Sequence, residues 1–474
     1  MLNRILHSDL CIIGGGSAGL SIAAGAAQMG ASVILIEKDK MGGDCLNTGC
    51  IPSKALLAAA KQAQTLRTGA KFGISNVEPT VNFAAVMAHV KQVISEIAPH
   101  DSQERFESLG VRVIRGHAKF LDRKTVDAAG IRVQAKRFVI ATGSRPVIPH
   151  IKGLSEVPYL TNETIFENQE LPEHLLIIGA GPIGMELSQA FRRLGSKVTV
   201  LDSSRPLKKE DPEVSKIVIE TLKAEGVEVL SDAKISLISR NNKTFSVELQ
   251  DGRILHGSHL LVAAGRHPNF ENLELEQAQV ATANGAILVD KRLRSKTNKR
   301  VFVAGDASGG PQYTHVAGYH AGVVIKNALF RLPSETNYEA VPRITYTDPE
   351  LAHVGMAESQ AKEFLKKNFR ILKVGFCDND RAVAEGRTEG ILKVITNSTG
   401  RIYGASIVGQ NAGELILPWS QAIEKKQNIK IFTQVIAAYP TRSEISKRAA
   451  NEFFKPKLYS PKIQWIVRML LGKK

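Results

Sequence analysis

Two cysteines five positions apart, Cys45 and Cys50, stand in the stretch GGDCLNTGCIPSK at residues 42–54. A thiol pair at that spacing can serve as a structural staple, as part of a metal site or as a redox couple. No second Cys or His pair stands at zinc-ligand spacing. Closing so short a loop stabilises little, and four cysteines in 474 residues suit a reducing compartment rather than a disulfide framework. The intervening LNTG lets the chain turn and bring two sulfurs to bonding distance. Cys50 opens a helical run, CIPSKALLAAAKQA, and a helix N-terminus lowers a thiol's pKa by stabilising the thiolate. Lys54, one turn later, adds positive charge on the same face.

Something must position such a pair, and the flanking chain supplies two copies of one device. DLCIIGGGSAGLSIAAGAAQMGASVILIEK reads as strand, tight turn, small-residue helix and second strand, with Gly14, Gly16 and Gly19 at G-x-G-x-x-G spacing and Glu37 at the end. The first glycine permits the turn, the second lets a pyrophosphate approach the backbone, and the third lets helix and strand pack closely. HLLIIGAGPIGMELSQAFRRLGSKVTVLD repeats the pattern with Gly179, Gly181, Gly184 and Asp202. Two fingerprints mean two dinucleotides in separate domains, as a redox enzyme passing electrons between cofactors requires. Asp202 favours NADH by accepting the 2′-hydroxyl, although Ser203, Ser204 and Arg205 could hold a phosphate instead. FVIATGSRP, LLVAAGRHPN and RVFVAGDAS bring Thr142-Gly143, Ala264-Gly265 and Asp306 to further strand ends.

The totals bound the alternatives. A chain of 474 residues with 43% hydrophobic and 23% charged content predicts two to four globular domains. The uncharged run Leu10–Ile36 is broken by six glycines and reads as buried parallel strands rather than a membrane span. The N-terminus lacks the marks of a signal peptide, so a cytoplasmic location is expected. A net charge of +16 raises nucleic acid as a partner. No RNP-like stretch, zinc-finger spacing or aromatic-interleaved basic patch supports it, and no nucleic-acid partner is expected.

On GGDCLNTGCIPSKALL, both fingerprints, the ATG and GD motifs and DPELAHVG, the chain resembles the flavin-dependent pyridine nucleotide–disulfide oxidoreductases from about residue 8 to about 450. With that context the redox couple is the reading of the cysteines. The resemblance implies an α/β fold with two Rossmann-like dinucleotide-binding domains and a C-terminal α+β dimerisation domain. Gly14, Gly16, Gly19 and Glu37 would hold the ADP half of FAD. Ala118, Thr142, Gly143, Ser144 and Asp306 would also contact cofactor, and His315, Val316 and Ala317 would meet the isoalloxazine edge. Gly179, Gly181, Gly184, Asp202 and Gly265 would bind NAD(H) or NADP(H). Cys50 would lie against the flavin and Cys45 further out as the interchange thiol, with Lys54 paired to Glu186. No resident metal site is implied.

One position departs from the disulfide reductases. Their C-terminal domain contributes a His-Pro…Glu element whose imidazole serves the outer thiol across the dimer interface. Here the stretch is AAYPTRSEISKRAA, with Pro440 and Glu444 in place and Tyr439 where the histidine belongs. A phenol titrates near pH ~10 and does not cycle as a base near neutrality. Mercuric reductases are similar to this chain at that point. The CxxC domain and the vicinal C-terminal cysteine pair of that branch are not in this sequence, so metal capture would rest on Cys45, Cys50 and Tyr439.

The organisation expected is a FAD domain at 1–155 and 280–335, a nicotinamide domain at 156–279, a dimerisation domain at 340–455 and a basic amphipathic tail at 456–474. Cys11 and Cys377 are expected in the core. The tail, KLYSPKIQWIVRMLLGKK, is expected to pack on its own subunit, or else to lie at the inner face of a membrane. The function expected is electron transfer from NAD(P)H through FAD and Cys45–Cys50 to a disulfide, metal ion or related small acceptor within a homodimer. Dihydrolipoamide dehydrogenase, a quinone reductase bypassing the thiols and a redox-sensing binding protein are the alternatives.

Overall fold

The computed structural model describes residues 5–472. Alternation of apolar strands with small-residue helices builds two parallel sheets. In the first, a seven-stranded sheet, the parallel order is Val111–Arg115, Val33–Glu37, Ile5–Ile13, Ile131–Ile140, and Val301–Val303 pairs with the last of these. Two antiparallel strands, Thr125–Ala128 and Ala118–Asp122, complete its edge. The central strands are buried on both faces, which is why Leu10–Ile36 reads as a continuous apolar run.

The second sheet has four parallel strands ordered Glu228–Leu230, Lys197–Leu201, His174–Ile178, His259–Val262. A five-stranded antiparallel sheet follows, from Arg343–Thr345 to Ile402–Gly409, and Trp419 is fully buried against it. This is the α/β fold with two Rossmann-like units and a C-terminal α+β unit.

The two fingerprints coincide at atomic level. Gly14 and Gly179 share a φ of +111°, and a Cβ on either would strike the carbonyl of Ala141 or Ala263 at 2.3 or 2.4 Å. A Cβ on Gly19 or Gly184 would strike the Gly14 or Gly179 oxygen at 1.8 or 2.0 Å, so helix and strand touch with nothing between them.

Buried charge holds the second unit to the third. Lys393, on strand Ile391–Asn397 and only 3% exposed, reaches Asp211 at 2.8 Å, Glu213 at 3.0 Å and Glu358 at 2.6 Å. Asp211 also caps helix Pro212–Ala224 by accepting the Glu213 N–H. Removing the ammonium leaves buried carboxylate unpaired. Lys393→Met is expected to cost about 3 kcal/mol in chemical denaturation, and Lys393→Met/Asp211→Asn, which removes the buried charge and keeps the cap, to recover part of it.

Two expectations are corrected. Cys377 is exposed, because the chain leaves strand Phe369–Gly375 in a short turn, Phe376–Asp378, that buries Phe376 instead. The tail forms helix Pro461–Leu470, yet none of its side chains is fully buried on its own subunit and only Ile463 and Ile466 are partly covered. Lys473 and Lys474 lie outside the described residues.

Candidate active site

Cys50 is the first residue of helix Cys50–Arg67, whose Ala- and Leu-rich face packs inward through Ala55, Leu56, Ala60 and Ala63. Gly49 precedes it with no side-chain cap, so the first-turn N–H groups remain available to a charged group. Cys45 sits in the short helix Gly43–Asn47, entered through Gly42 and Gly43 at positive φ. A Cβ on Gly43 would come within 2.7 Å of the Gly16 Cα, and Gly42 N–H donates to the Gly15 carbonyl at 2.9 Å. The Gly-Gly pair therefore docks the cysteine loop directly onto the first fingerprint.

Both cysteines are free thiols. The Cys50 sulfur lies 3.2 Å from the Thr314 hydroxyl. Thr314 is the first residue of helix Thr314–Ala328, so two helix N-termini converge on one sulfur. The neighbouring Cys45 thiol pulls the Cys50 thiol below its ordinary range, and the Thr314 hydroxyl and Lys54 charge act the same way against burial and Asp44. Cys45 is pushed up by its neighbour Cys50 and by burial. Of the two sulfurs, Cys50 is the one favoured as thiolate and Cys45 the one favoured as thiol.

Lys54 pairs with Glu186 at 2.9 Å and lies 4.2 Å from the Tyr346 ring centroid. The second Glu186 oxygen accepts the Tyr346 N–H at 2.9 Å, so helix Pro182–Leu194 and the third unit both position Lys54. Asp44 is held by the Asn162 amide at 3.0 Å and by Arg266 at 3.4 Å.

The thiols border a continuous cleft of about 2080 Å³. Gly14, Gly16, Glu37, Lys54, Ala118, Thr142, Gly143, Ser144, Asp306, His315 and Ala317 line it. So do Gly179, Gly181, Glu186, Asp202 and Gly265. Gly19, Gly184 and Val316 do not; they are buried in packing behind it. Glu37 accepts the Gly15 and Asp39 N–H groups, and Asp202 accepts those of Ala180 and Ser204. Each carboxylate is thereby drawn to its own glycine-rich turn. Asp306 accepts from the Ser144 hydroxyl, which accepts from Arg266 at 2.8 Å, and burial raises the Asp306 carboxyl. Behind it the buried His320 accepts the Gly305 N–H at 3.1 Å and meets the Tyr338 hydroxyl at 2.9 Å, and burial lowers it to about 4.

Tyr439 and Glu444 lie outside this cleft. Tyr439 is 70% exposed and donates to Asp380 at 3.0 Å, a bond that raises its phenol further. Glu444 opens helix Glu444–Leu458 with one carboxylate oxygen buried and unpartnered among the described residues. Sequence reasoning missed Thr314, Asn162, Arg266 and Tyr346. Thr314 is 264 residues from Cys50, and only its place beside His315 in YTHVAG could have pointed to it.

Residues 8–321 match the family model described as pyridine nucleotide-disulphide oxidoreductase, and residues 341–450 match the dimerisation domain of the same family. The second match supports a homodimer. A mercuric reductase of Lysinibacillus sphaericus is 35% identical over 455 residues, spanning 94% of this chain and 83% of its own. A dihydrolipoyl dehydrogenase of Geobacillus stearothermophilus is 33% identical over 459 residues, 94% of this chain and 96% of its own. Among solved structures, the Cu(II) complex of the HOCl-induced flavoprotein disulfide reductase RclA from Escherichia coli superposes with a TM-score of 0.85 at 27% identity. It covers 94% of this chain and 99% of that one. LpdA from Mycobacterium tuberculosis gives 0.86 at 27% identity, with the same two coverages. Two nucleotide folds, a thiol pair docked on the first and matches along nearly the whole chain have one conclusion: the protein belongs to the pyridine nucleotide–disulphide oxidoreductases, FAD-dependent enzymes that take their electrons from NAD(P)H.

Proposed function

We propose that this flavoenzyme passes electrons from NADH through Cys50 and Cys45 to a thiophilic metal ion, on the mercuric reductase side of its family. The observation that carries this reading is a pair of sulfurs with opposed proton affinities together with Tyr439 at the position where the family's imidazole belongs. Within its own chain, among the described residues, no free imidazole stands beside them. The two histidines that line the cleft are engaged elsewhere, His117 with the Asn272 carbonyl and His315 with the Pro342 carbonyl, each at 2.9 Å.

The residues present fit both dinucleotides. The cleft exceeds an ordinary ligand pocket of about 300–1,000 Å³. A Cβ at Gly143 or Gly181 would meet no protein atom within 4 Å, which leaves the backbone open to a bound group. On this reading Gly14, Gly16 and Glu37 hold the ADP half of FAD, with Gly19 closing the turn behind them. Ala118, Thr142, Gly143, Ser144, Asp306, His315 and Ala317 hold the remainder. Gly179, Gly181, Asp202 and Gly265 hold the nicotinamide nucleotide, with Gly184 in the closing role. Bound FAD supplies two-electron transfer between NADH and the sulfurs.

Cys50 keeps the thiolate on the inner side, stabilised by Thr314 and by the Lys54–Glu186 pair. Cys45 presents the outer sulfur to the acceptor. A dithiol that binds a soft cation releases its protons to solvent. Such an acceptor needs no positioned base, whereas dithiol–disulfide exchange does. Neither Tyr439 nor Glu444 lines its own cleft, so a second copy would supply them to the outer thiol. The mercuric reductase relatives and the Cu(II) complex of RclA support the same class of acceptor.

An acceptor screen tests this reading. With NADH as donor, kcat/KM for Hg(II) or Cu(II) is expected to exceed that for lipoamide or glutathione disulfide by on the order of 10²-fold, the usual contribution of the missing acid–base group. Cys45→Ala/Cys50→Ala is expected to reduce metal turnover to background; full activity of that variant with quinones would replace this reading.

The thiolate absorbance of the reduced protein is expected to persist well below the ordinary thiol range near pH ~8.5. A depressed thiol is ionised above its own pKa and reprotonates only when pH falls through it. Thr314→Val is expected to move the midpoint upward by removing a donor to the anion.

NADH is expected to surpass NADPH in kcat/KM by about tenfold or more, since Asp202 opposes a 2′-phosphate and Arg205 is tied to Ser215, Lys208 and Glu210. Asp202→Ala is expected to narrow that ratio in steady-state kinetics.

A further inference from the structure

We propose that helix Pro461–Leu470 is an anchor that lies on the surface of an anionic lipid bilayer. The inference is independent of which acceptor the active site reduces. Helix Glu444–Leu458 is held to the C-terminal unit by Ile445, Ala449, Ala450 and Phe453, and Phe453 is its last buried residue. The match to the family's dimerisation domain ends at residue 450. Beyond that point the chain turns at Ser460, which caps the next helix by accepting the Ile463 N–H.

That helix has no fully buried side chain; Ile463 and Ile466 are partly covered and the rest are exposed. Ile463, Ile466, Val467 and Leu470 follow one another at helical spacing along one side. Trp465 is 60% and Leu470 81% exposed, with Met469 and Leu471 also in water. A length of ten residues is half what a bilayer crossing of ~20 needs, and no helix among the described residues is long and apolar enough to span.

Charge identifies the occupant. From residue 455 to 472 the chain carries Lys455, Lys457, Lys462 and Arg468 and not one acidic residue. An apolar groove on a protein would recognise the apolar side alone. A layer of anionic headgroups over acyl chains recognises the apolar side, the basic flank and the aromatic rings of Trp465 and Tyr459 together. A second copy presents the same basic tail, and like charge between the two tails disfavours a tail-to-tail cover.

The test uses the full FAD-loaded chain and co-sedimentation with phosphatidylcholine vesicles, with or without phosphatidylglycerol at about one-third of the lipid. Binding is expected only with the anionic lipid, and is expected to weaken as salt rises. Lys462→Glu/Arg468→Glu and, separately, Trp465→Ala/Leu470→Ala are each expected to lower partitioning by on the order of tenfold. NADH oxidation in vesicle-free solution is expected to stay unchanged in both. Absence of vesicle binding, equal binding to both lipid mixtures, or binding indifferent to these substitutions would overturn the proposal. So would dissociation of the dimer by the same variants in sedimentation velocity, since that outcome places the helix on a second copy.

Discussion

A thiolate inside a cleft persists only where fixed donors and positive charge surround it. Cys50 draws that surrounding from its own helix, from a helix 264 positions away and from the neighbouring cysteine. Its own helix supplies one N-terminus and Lys54, the helix beginning at Thr314 supplies a second N-terminus and a hydroxyl, and the neighbouring Cys45 thiol favours the Cys50 thiolate. Lys54 in turn depends on Glu186 from the second nucleotide fold and on Tyr346 from the C-terminal unit. The environment of one sulfur therefore requires all three units to be assembled.

The repeated nucleotide fold explains how that assembly is kept in register. Both glycine turns are closed by the same backbone contact, and both strand-end carboxylates bond back to their own turn. Each turn is thus braced by the chain's own backbone and carboxylate contacts. The cysteine loop is seated on the first turn through Gly42 and Gly43, and the second fold is tied to the third unit by Lys393 among Asp211, Glu213 and Glu358. Both connections leave no slack, one through backbone contact with no side chain between and the other through buried charge.

Local pattern made most of this legible in the sequence. Strand, turn and helix in the fingerprints follow from glycine spacing and apolar runs, and Cys50 at a helix start follows from the Ala/Leu-rich stretch behind it. What could not be read was pairing across long separations. Thr314 reaches Cys50 across 264 positions, and Asn162 and Arg266 reach Asp44, through contacts that exist only once the sheets have packed. Cys377 misled for a related reason. An apolar strand predicts burial for its continuation, but the turn after Gly375 puts Phe376 inward and the thiol outward.

The outer sulfur shows how function can diverge while the fold stays the same. Everything around Cys50 suits a relay common to the family, and nothing in it selects an acceptor. On the proposed reading selection would fall to Cys45, whose thiol is pushed up by its neighbour and by burial. An acceptor that exchanges through a disulfide must have the thiol proton removed and returned by a positioned group. Tyr439 is poorly suited, because its hydroxyl is already donated to Asp380 and the nearby carboxylate makes the phenolate harder to form. A soft cation instead displaces the proton itself, by offering the sulfur a stronger partner. On the proposed reading, the change from imidazole to phenol would shift the acceptor from one that needs proton transfer to one that drives its own, with the path by which electrons enter left as it is.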